Sequence, residues 1–214
     1  MIKVCGMRDA ENIREVEALG IDLMGFIFWT KSSRYVSERP AYQPTKCKRV
    51  GVFVDEDIET VKRIADEYAL DYIQLHGHES PDYIRALRVV DGFPVDIHLI
   101  KAISVSGRDD IATYKSYEGL VDYFLFDTKC PSVGGSGQQF DWSVLSAYDG
   151  NTPFLLSGGI GPDDAPRLRA LSVLDGFPVE KCAGIDLNSR FELAPGLKDV
   201  TALQKFLNEF INCK

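Results

Sequence analysis

The chain has 214 residues, 45% of them apolar and 26% charged, and a formal net charge of −8. That length buries one sizeable core, that composition excludes a disordered or fibrous chain, and the acidic balance argues against nucleic-acid or anionic-membrane partners, so small molecules are expected, including anions held in a local basic pocket. The five cysteines, at 5, 47, 130, 182 and 213, form no CxxC pair, and His76, His78 and His98 lack metal-ligand spacing, so neither a disulfide framework nor a metal site is expected.

From the amino terminus, eight short apolar runs read as strands: 2–4, 23–28, 49–54, 72–75, 97–103, 123–126, 153–156 and 182–187. Their starts lie 21 to 30 residues apart, room each time for a strand, a helix and two loops. Most runs are continuously apolar, as parallel strands covered on both faces require. The helices between them carry a 3.6-residue period: Ile58, Val61, Ile64, Ala65 and Tyr68 share one face, as do Val200, Leu203, Phe206, Leu207 and Phe210. Asp9, Ser80-Pro81 and Gly161-Pro162-Asp163 signal helix starts. Pro40 and Pro44 make the second helix, over 40–48, short or irregular. The repeat Val90-Asp91-Gly92-Phe93-Pro94-Val95 and Leu174-Asp175-Gly176-Phe177-Pro178-Val179 is read as one loop chemistry used twice, since three units separate the copies and a duplicated half-barrel requires four.

Eight strand-helix units in this length give an α/β fold, an eight-stranded parallel (β/α)8 TIM barrel in a single domain over 1–214. The open doubly wound alternative wants a GxGxxG turn after an early strand, and none is present. The start of the chain shows no basic region followed by a long apolar stretch, and no run of about 18 apolar residues occurs, so no membrane association and a cytoplasmic location are expected.

In such barrels chemistry sits at the carboxyl ends of the strands. There the sequence supplies Cys5, then Lys31-Ser32-Ser33-Arg34, His76, Asp127, Ser157-Gly158-Gly159 and Asp186-Leu187-Asn188-Ser189. Gly158-Gly159 exposes backbone N–H groups, and Asn188-Ser189 before Arg190 opens a short helix; a phosphate fits between these two loops. The long glycine-rich stretch after Asp127, tied at its far end by Phe140 and Trp142, reads as a loop that folds over a bound ligand.

The order KVCGM, GFIFWTKSSRYV, VGVFV, QLHG, LFDTK with VGGSGQQFDW, LLSGGI and GIDLNSRFELAPGLKD resembles the phosphoribosylanthranilate isomerase family of tryptophan biosynthesis over essentially the whole chain. The resemblance implies a cofactor-independent Amadori rearrangement of a phosphorylated aminosugar. It implies Asp127 as general acid and Cys5 as general base, with Arg34 holding the anthranilate carboxylate through two parallel hydrogen bonds. His76 and Asp186 then line the pocket. A neighbouring positive charge or helix end is expected to lower the Cys5 pKa, and partial burial or a carboxylate neighbour to keep a proton on Asp127. The chain departs from the family pattern at Ser33, where proline is usual and whose absence loosens the arginine loop, and at Met7-Arg8 and Ser136.

Two other readings compete. A related phosphosugar barrel, an epimerase or the next enzyme of the pathway, would need metal-binding histidines or a catalytic lysine, for which Lys101 and Lys129 are the candidates. A barrel reduced to sensing a phosphate ligand would need neither Cys5 nor Asp127. Cys47 and Cys182 fall at strand beginnings, on the face away from the predicted site. A monomer and a dimer share this core pattern, with the monomer as the working expectation.

Overall fold

In the computed structural model, which describes residues 1–128 and 141–212, eight parallel strands close into a barrel in sequence order. They are β1 (Ile2–Cys5), β2 (Leu23–Ile27), β3 (Lys48–Phe53), β4 (Tyr72–Leu75), β5 (His98–Val105), β6 (Tyr123–Thr128), β7 (Phe154–Leu156) and β8 (Cys182–Leu187). Closure comes from β1 lying between β2 and β8, with Lys3 level with Leu23 on one side and Asp186 on the other. All eight apolar runs form strands, and the boundaries move by at most two residues. Among the described residues no helix is long and apolar enough to cross a membrane.

Two apolar layers hold the barrel. Leu23, Val50, Tyr72, Ile100, Ala102, Leu125 and Leu155 form a small inner cluster; on its face of the strands lie Lys3 and Cys5, in register with Leu23 and Gly25. The outward residues pack under the helices α1 (Ala10–Glu17), α2 (Ile58–Tyr68), α3 (Pro81–Val89), α4 (Arg108–Ile111), α5 (Ala165–Leu171) and α6 (Val200–Asn212). The periodic faces are the buried ones: Val61, Ala65 and Tyr68 on α2, and Leu203, Phe206 and Leu207 on α6. Asp9, Asp57 and Ser80 cap α1, α2 and α3 by accepting from the N–H three residues on, each cap stabilising its helix by about 1 kcal/mol. At α5 the helix starts at Ala165, and Asp164 turns its carboxylate back to the Gly161 N–H at 2.7 Å.

No helix forms between β2 and β3. With Pro40 and Pro44 breaking the segment, the Thr45 and Lys46 N–H groups donate to the buried Glu17 carboxylate, as does the Tyr42 hydroxyl, so a side chain does the satisfying that helical carbonyls would otherwise do. Burial pushes the Glu17 carboxyl upward, but these hydrogen bonds hold it below the ordinary glutamate range. After β6 the structure resumes with a 3-10 helix at Trp142–Ala147; the ligand-covering loop expected after Asp127 falls on 129–140, outside the described residues, as do Lys129, Cys130 and Cys213. One element escaped the sequence reading, a small antiparallel hairpin of β9 (Glu192–Ala194) and β10 (Leu197–Lys198) after β8. The repeated loop does use one chemistry twice: Gly92 and Gly176 have φ of +72° and +76°, and Phe93 and Phe177 turn back to the carbonyls of Val90 and Leu174 and bury their rings.

Candidate active site

Cys5 ends β1 facing the barrel axis, 4% exposed. Gly25 makes room for it, since a Cβ there would lie 2.6 Å from the Cys5 sulfur. Two residues below, on the same face, the buried Lys3 ammonium pairs with Asp186 Oδ1 at 3.0 Å. Burial pushes the Cys5 thiol above its ordinary value, while Lys3 and Lys198 pull it down. The expected net lowering is therefore corrected: desolvation of a thiolate, together with the nearby Asp186 carboxylate, outweighs the two cations. Burial works against the Lys3 charge too, but Asp186 and Cys5 hold its ammonium above the ordinary lysine range. Asp186 itself is raised by burial against the pull of Lys3, with Asp127 adding to the rise.

Asp127, near the end of β6, is half-buried, and its Oδ2 lies 3.4 Å from His76 Nε2. The amide of Gln74 lies 3.0 Å from His76 Nδ1; with that amide donating, Nδ1 is the acceptor and the ring proton points from Nε2 toward Asp127. The structure thus brings Cys5, Asp127, Asp186 and His76 together at one end of the barrel.

Arg34 is no solvated loop cation. Its Nε and Nη2 donate to both oxygens of Glu192, at 2.9, 3.0 and 2.6 Å, so the fork expected to meet a ligand carboxylate is partly spent inside the protein. Glu192 Oε1 also accepts from Lys198 Nζ at 2.7 Å, and that ammonium donates to Asn188 Oδ1 at 2.8 Å. Gly6, at φ +83°, sits beneath this group; a Cβ there would come within 2.7 Å of Arg34 Cδ and 2.8 Å of Asn188 Oδ1. The two departures near this loop prove to be connected. Arg8 donates to the carbonyls of Ser33 and Pro195, fastening the arginine loop, which lacks its usual proline, to the β9–β10 hairpin.

Gly158 and Gly159 take φ of +91° and +66°, conformations that leave their turn without Cβ atoms in the way. Asn188 and Ser189 follow β8, and the short helix expected there is a single 3-10 turn, Ser189–Phe191, with Asn188 at its start. The Arg190 side chain lies against the loop after β7, since a Cβ on Gly161 would lie 3.1 Å from its Nε. Lys101, the candidate for lysine chemistry, is buried and bound to Glu79 at 3.0 Å and to the Gly77 carbonyl at 2.8 Å. Cys47 precedes β3 and Cys182 opens β8, at the opposite end of the barrel from this site, and burial raises their thiols to about 12 and about 11. Sequence reasoning missed Lys3, Gly25, Glu192 and Lys198. The available signal was a charge inside an apolar strand at Lys3, and a charged pair around a Pro-Gly turn at Glu192 and Lys198.

Compared with known proteins, residues 2–209 match the family described as N-(5'-phosphoribosyl)anthranilate (PRA) isomerase. The enzyme of that name from Phocaeicola vulgatus is 50% identical over 209 residues, covering 98% of this chain and 97% of the relative. That from Parabacteroides distasonis is 47% identical over 218 residues, covering 99% and 94%. The crystal structure of phosphoribosyl anthranilate isomerase from Thermotoga maritima superposes with a TM-score of 0.79 at 32% identity, covering 99% of this chain and 98% of that one. A structure of phosphoribosyl anthranilate isomerase in complex with reduced 1-(o-carboxyphenylamino)-1-deoxyribulose 5-phosphate gives 0.76 at 29%, with the same coverage.

Proposed function

This chain belongs to the N-(5'-phosphoribosyl)anthranilate isomerase family of tryptophan biosynthesis, and on that premise we propose that Asp127 and Cys5 are the acid and base of its Amadori rearrangement. Asp127 protonates the ribose ring oxygen, and the ring opens to a protonated imine. Cys5, as thiolate, takes the proton from C2′, and the resulting enolamine regains a proton at C1′ as its hydroxyl loses one, giving 1-(2-carboxyphenylamino)-1-deoxyribulose 5-phosphate. Atoms balance, and no electron leaves the substrate.

The observation that carries this reading is the placing of a buried thiol, with Lys3 paired beneath it, on the same barrel mouth as a half-buried carboxylate next to a histidine. A thiol pushed up by burial is a strong base once ionised, and the positive imine adds to Lys3 and Lys198 at the moment the thiolate is needed. His76 orients Asp127, Asp186 holds Lys3, and the Nη1–Nη2 edge of Arg34 takes the aryl carboxylate. Gly158, Gly159, Asn188 and Ser189 receive the phosphate, with the ligand named in the related complex as the guide to substrate class. The barrel supports reading 1–214 as a single domain.

The test is the loss of phosphoribosylanthranilate fluorescence on adding the protein, run beside Cys5→Ser and Asp127→Asn. The wild type is expected to turn over, with each folded variant slower by roughly a hundredfold to ten-thousandfold. A wild type that binds the product analogue without turnover, or variants as fast as the wild type, overturns the assignment.

A further inference from the structure

Three side chains behind the arginine loop form a nearly dry charge cluster. The side chains of Arg34 and Glu192 are 11% and 5% exposed, and that of Lys198 is fully buried. Two basic side chains share one carboxylate in a poorly solvated place, where burial works against the Lys198 charge, a condition that favours an incoming anion. A guanidinium has two edges that can grip a carboxylate. Glu192 occupies the Nε–Nη2 edge, which leaves the Nη1–Nη2 edge for a ligand and fixes the plane in which that ligand must lie.

Glu192 is itself held from behind. Its Oε1 accepts from Lys198 Nζ and from the Gly196 N–H at 3.1 Å. Lys198 is pinned through its backbone, its N–H donating to Asn12 Oδ1 at 2.7 Å and its carbonyl accepting from Asn12 Nδ2 at 3.0 Å. Through Asn188 Oδ1 the same ammonium reaches the loop after β8. A rigid path therefore runs from α1 to the arginine, with a branch to the other anion loop.

We propose that Glu192, backed by Lys198, is a positioning residue for specificity: it orients Arg34 so that only substrates with a carboxylate ortho to the amino linkage bind well. This rests on the assignment of Arg34 as the carboxylate holder. A bound carboxylate would balance the two cations, Arg34 and Lys198, that share the single carboxylate of Glu192.

Glu192→Gln keeps the shape but puts an NH₂ against either Arg34 or Lys198, freeing the guanidinium to rotate. Two ligands separate positioning from general damage: the reduced product analogue, 1-(o-carboxyphenylamino)-1-deoxyribulose 5-phosphate in reduced form, and the same molecule with a plain phenylamino group. Titration calorimetry on the wild type, Glu192→Gln and Arg34→Ala, with melting curves for each, reads both. Glu192→Gln is expected to weaken the carboxylate ligand roughly tenfold to hundredfold, the range of a charge-assisted hydrogen bond, and to leave the plain ligand within about twofold. In turnover KM rises by a similar factor and kcat changes far less. Glu192→Asp, which keeps the charge, restores part of the preference and stands in should the glutamine variant not fold. Equal weakening of both ligands, or no weakening, overturns the proposal. If Arg34→Ala also leaves the wild-type preference intact, the Arg34 assignment has failed; if Arg34→Ala abolishes it and Glu192→Gln does not, only the positioning role has.

Discussion

Replacing Lys3 with methionine removes the one cation buried directly beneath Cys5 and strands Asp186, its partner at 3.0 Å. Losing the charge-assisted hydrogen bond from Lys3 costs the thiolate about 1.5–3 kcal/mol and pushes the Cys5 thiol further up. The thiolate fraction near neutral pH, and kcat/KM with it, falls roughly tenfold to hundredfold, at about 1.36 kcal/mol for each factor of ten. The assay is the pH profile of kcat/KM, whose rising limb reports ionisation of the base in the free enzyme. In Lys3→Met this limb moves to higher pH, and alkaline conditions recover much of the lost rate. Asp186→Asn provides the opposite sign: with its carboxylate partner gone, Lys3 is left to the thiolate alone, and the limb moves to lower pH. Lys3→Met/Asp186→Asn, which strands no charge and so avoids the penalty of an unpaired buried ion, keeps the upward direction with a smaller shift. A folded Lys3→Met enzyme whose limb stays where the wild type's lies, or an Asp186→Asn limb that moves upward, refutes the account of Cys5 as a lysine-supported base.

Gly6→Ala forces an L-residue to φ +83° with its Cβ 2.7 Å from Arg34 Cδ; the left-handed backbone alone costs about 1–2 kcal/mol, so Tm drops by roughly 2–8 °C for a chain of this size, and calorimetry together with a raised KM checks it. The Glu192 carboxyl is held below its ordinary value of 4.5, burial opposing and Arg34 and Lys198 prevailing. Its contribution to stability is therefore complete above that value and is lost as the pH falls from 4.5 through the lower folded value. Urea unfolding at several acid pH values should show a shallower acid decline in Glu192→Gln than in the wild type. Lys101→Met breaks the buried pair with Glu79 and should destabilise by about 3–5 kcal/mol. The folded fraction should keep kcat within a few-fold, and Lys101→Met/Glu79→Gln should regain stability; a loss of kcat in that folded double variant would reopen lysine chemistry at this site.

The sequence by itself determined the barrel. Eight apolar runs at regular spacing, capped helix starts and two periodic helix faces are local or short-range signals, and each reappears in the structure within a residue or two. It also marked the strand ends where Cys5, Arg34, His76, Asp127, Gly158, Gly159, Asp186, Asn188 and Ser189 stand, because topology carries every strand end to one rim. The tertiary structure alone decided who touches whom. Lys3 meets Asp186 across 183 positions, and Arg34 meets Glu192 across 158, through barrel closure and a hairpin that no periodicity announces. It decided the sense of the Cys5 shift, since desolvation depends on the whole shell around an atom and not on its neighbours in sequence. It replaced a helix over 40–48 by a loop held on Glu17, because a carboxylate from α1 supplies the acceptors that the proline-broken segment cannot supply for itself. Chain-local preferences are written along the sequence; partners, burial and charge balance are sums over space, and they exist only once the barrel has closed.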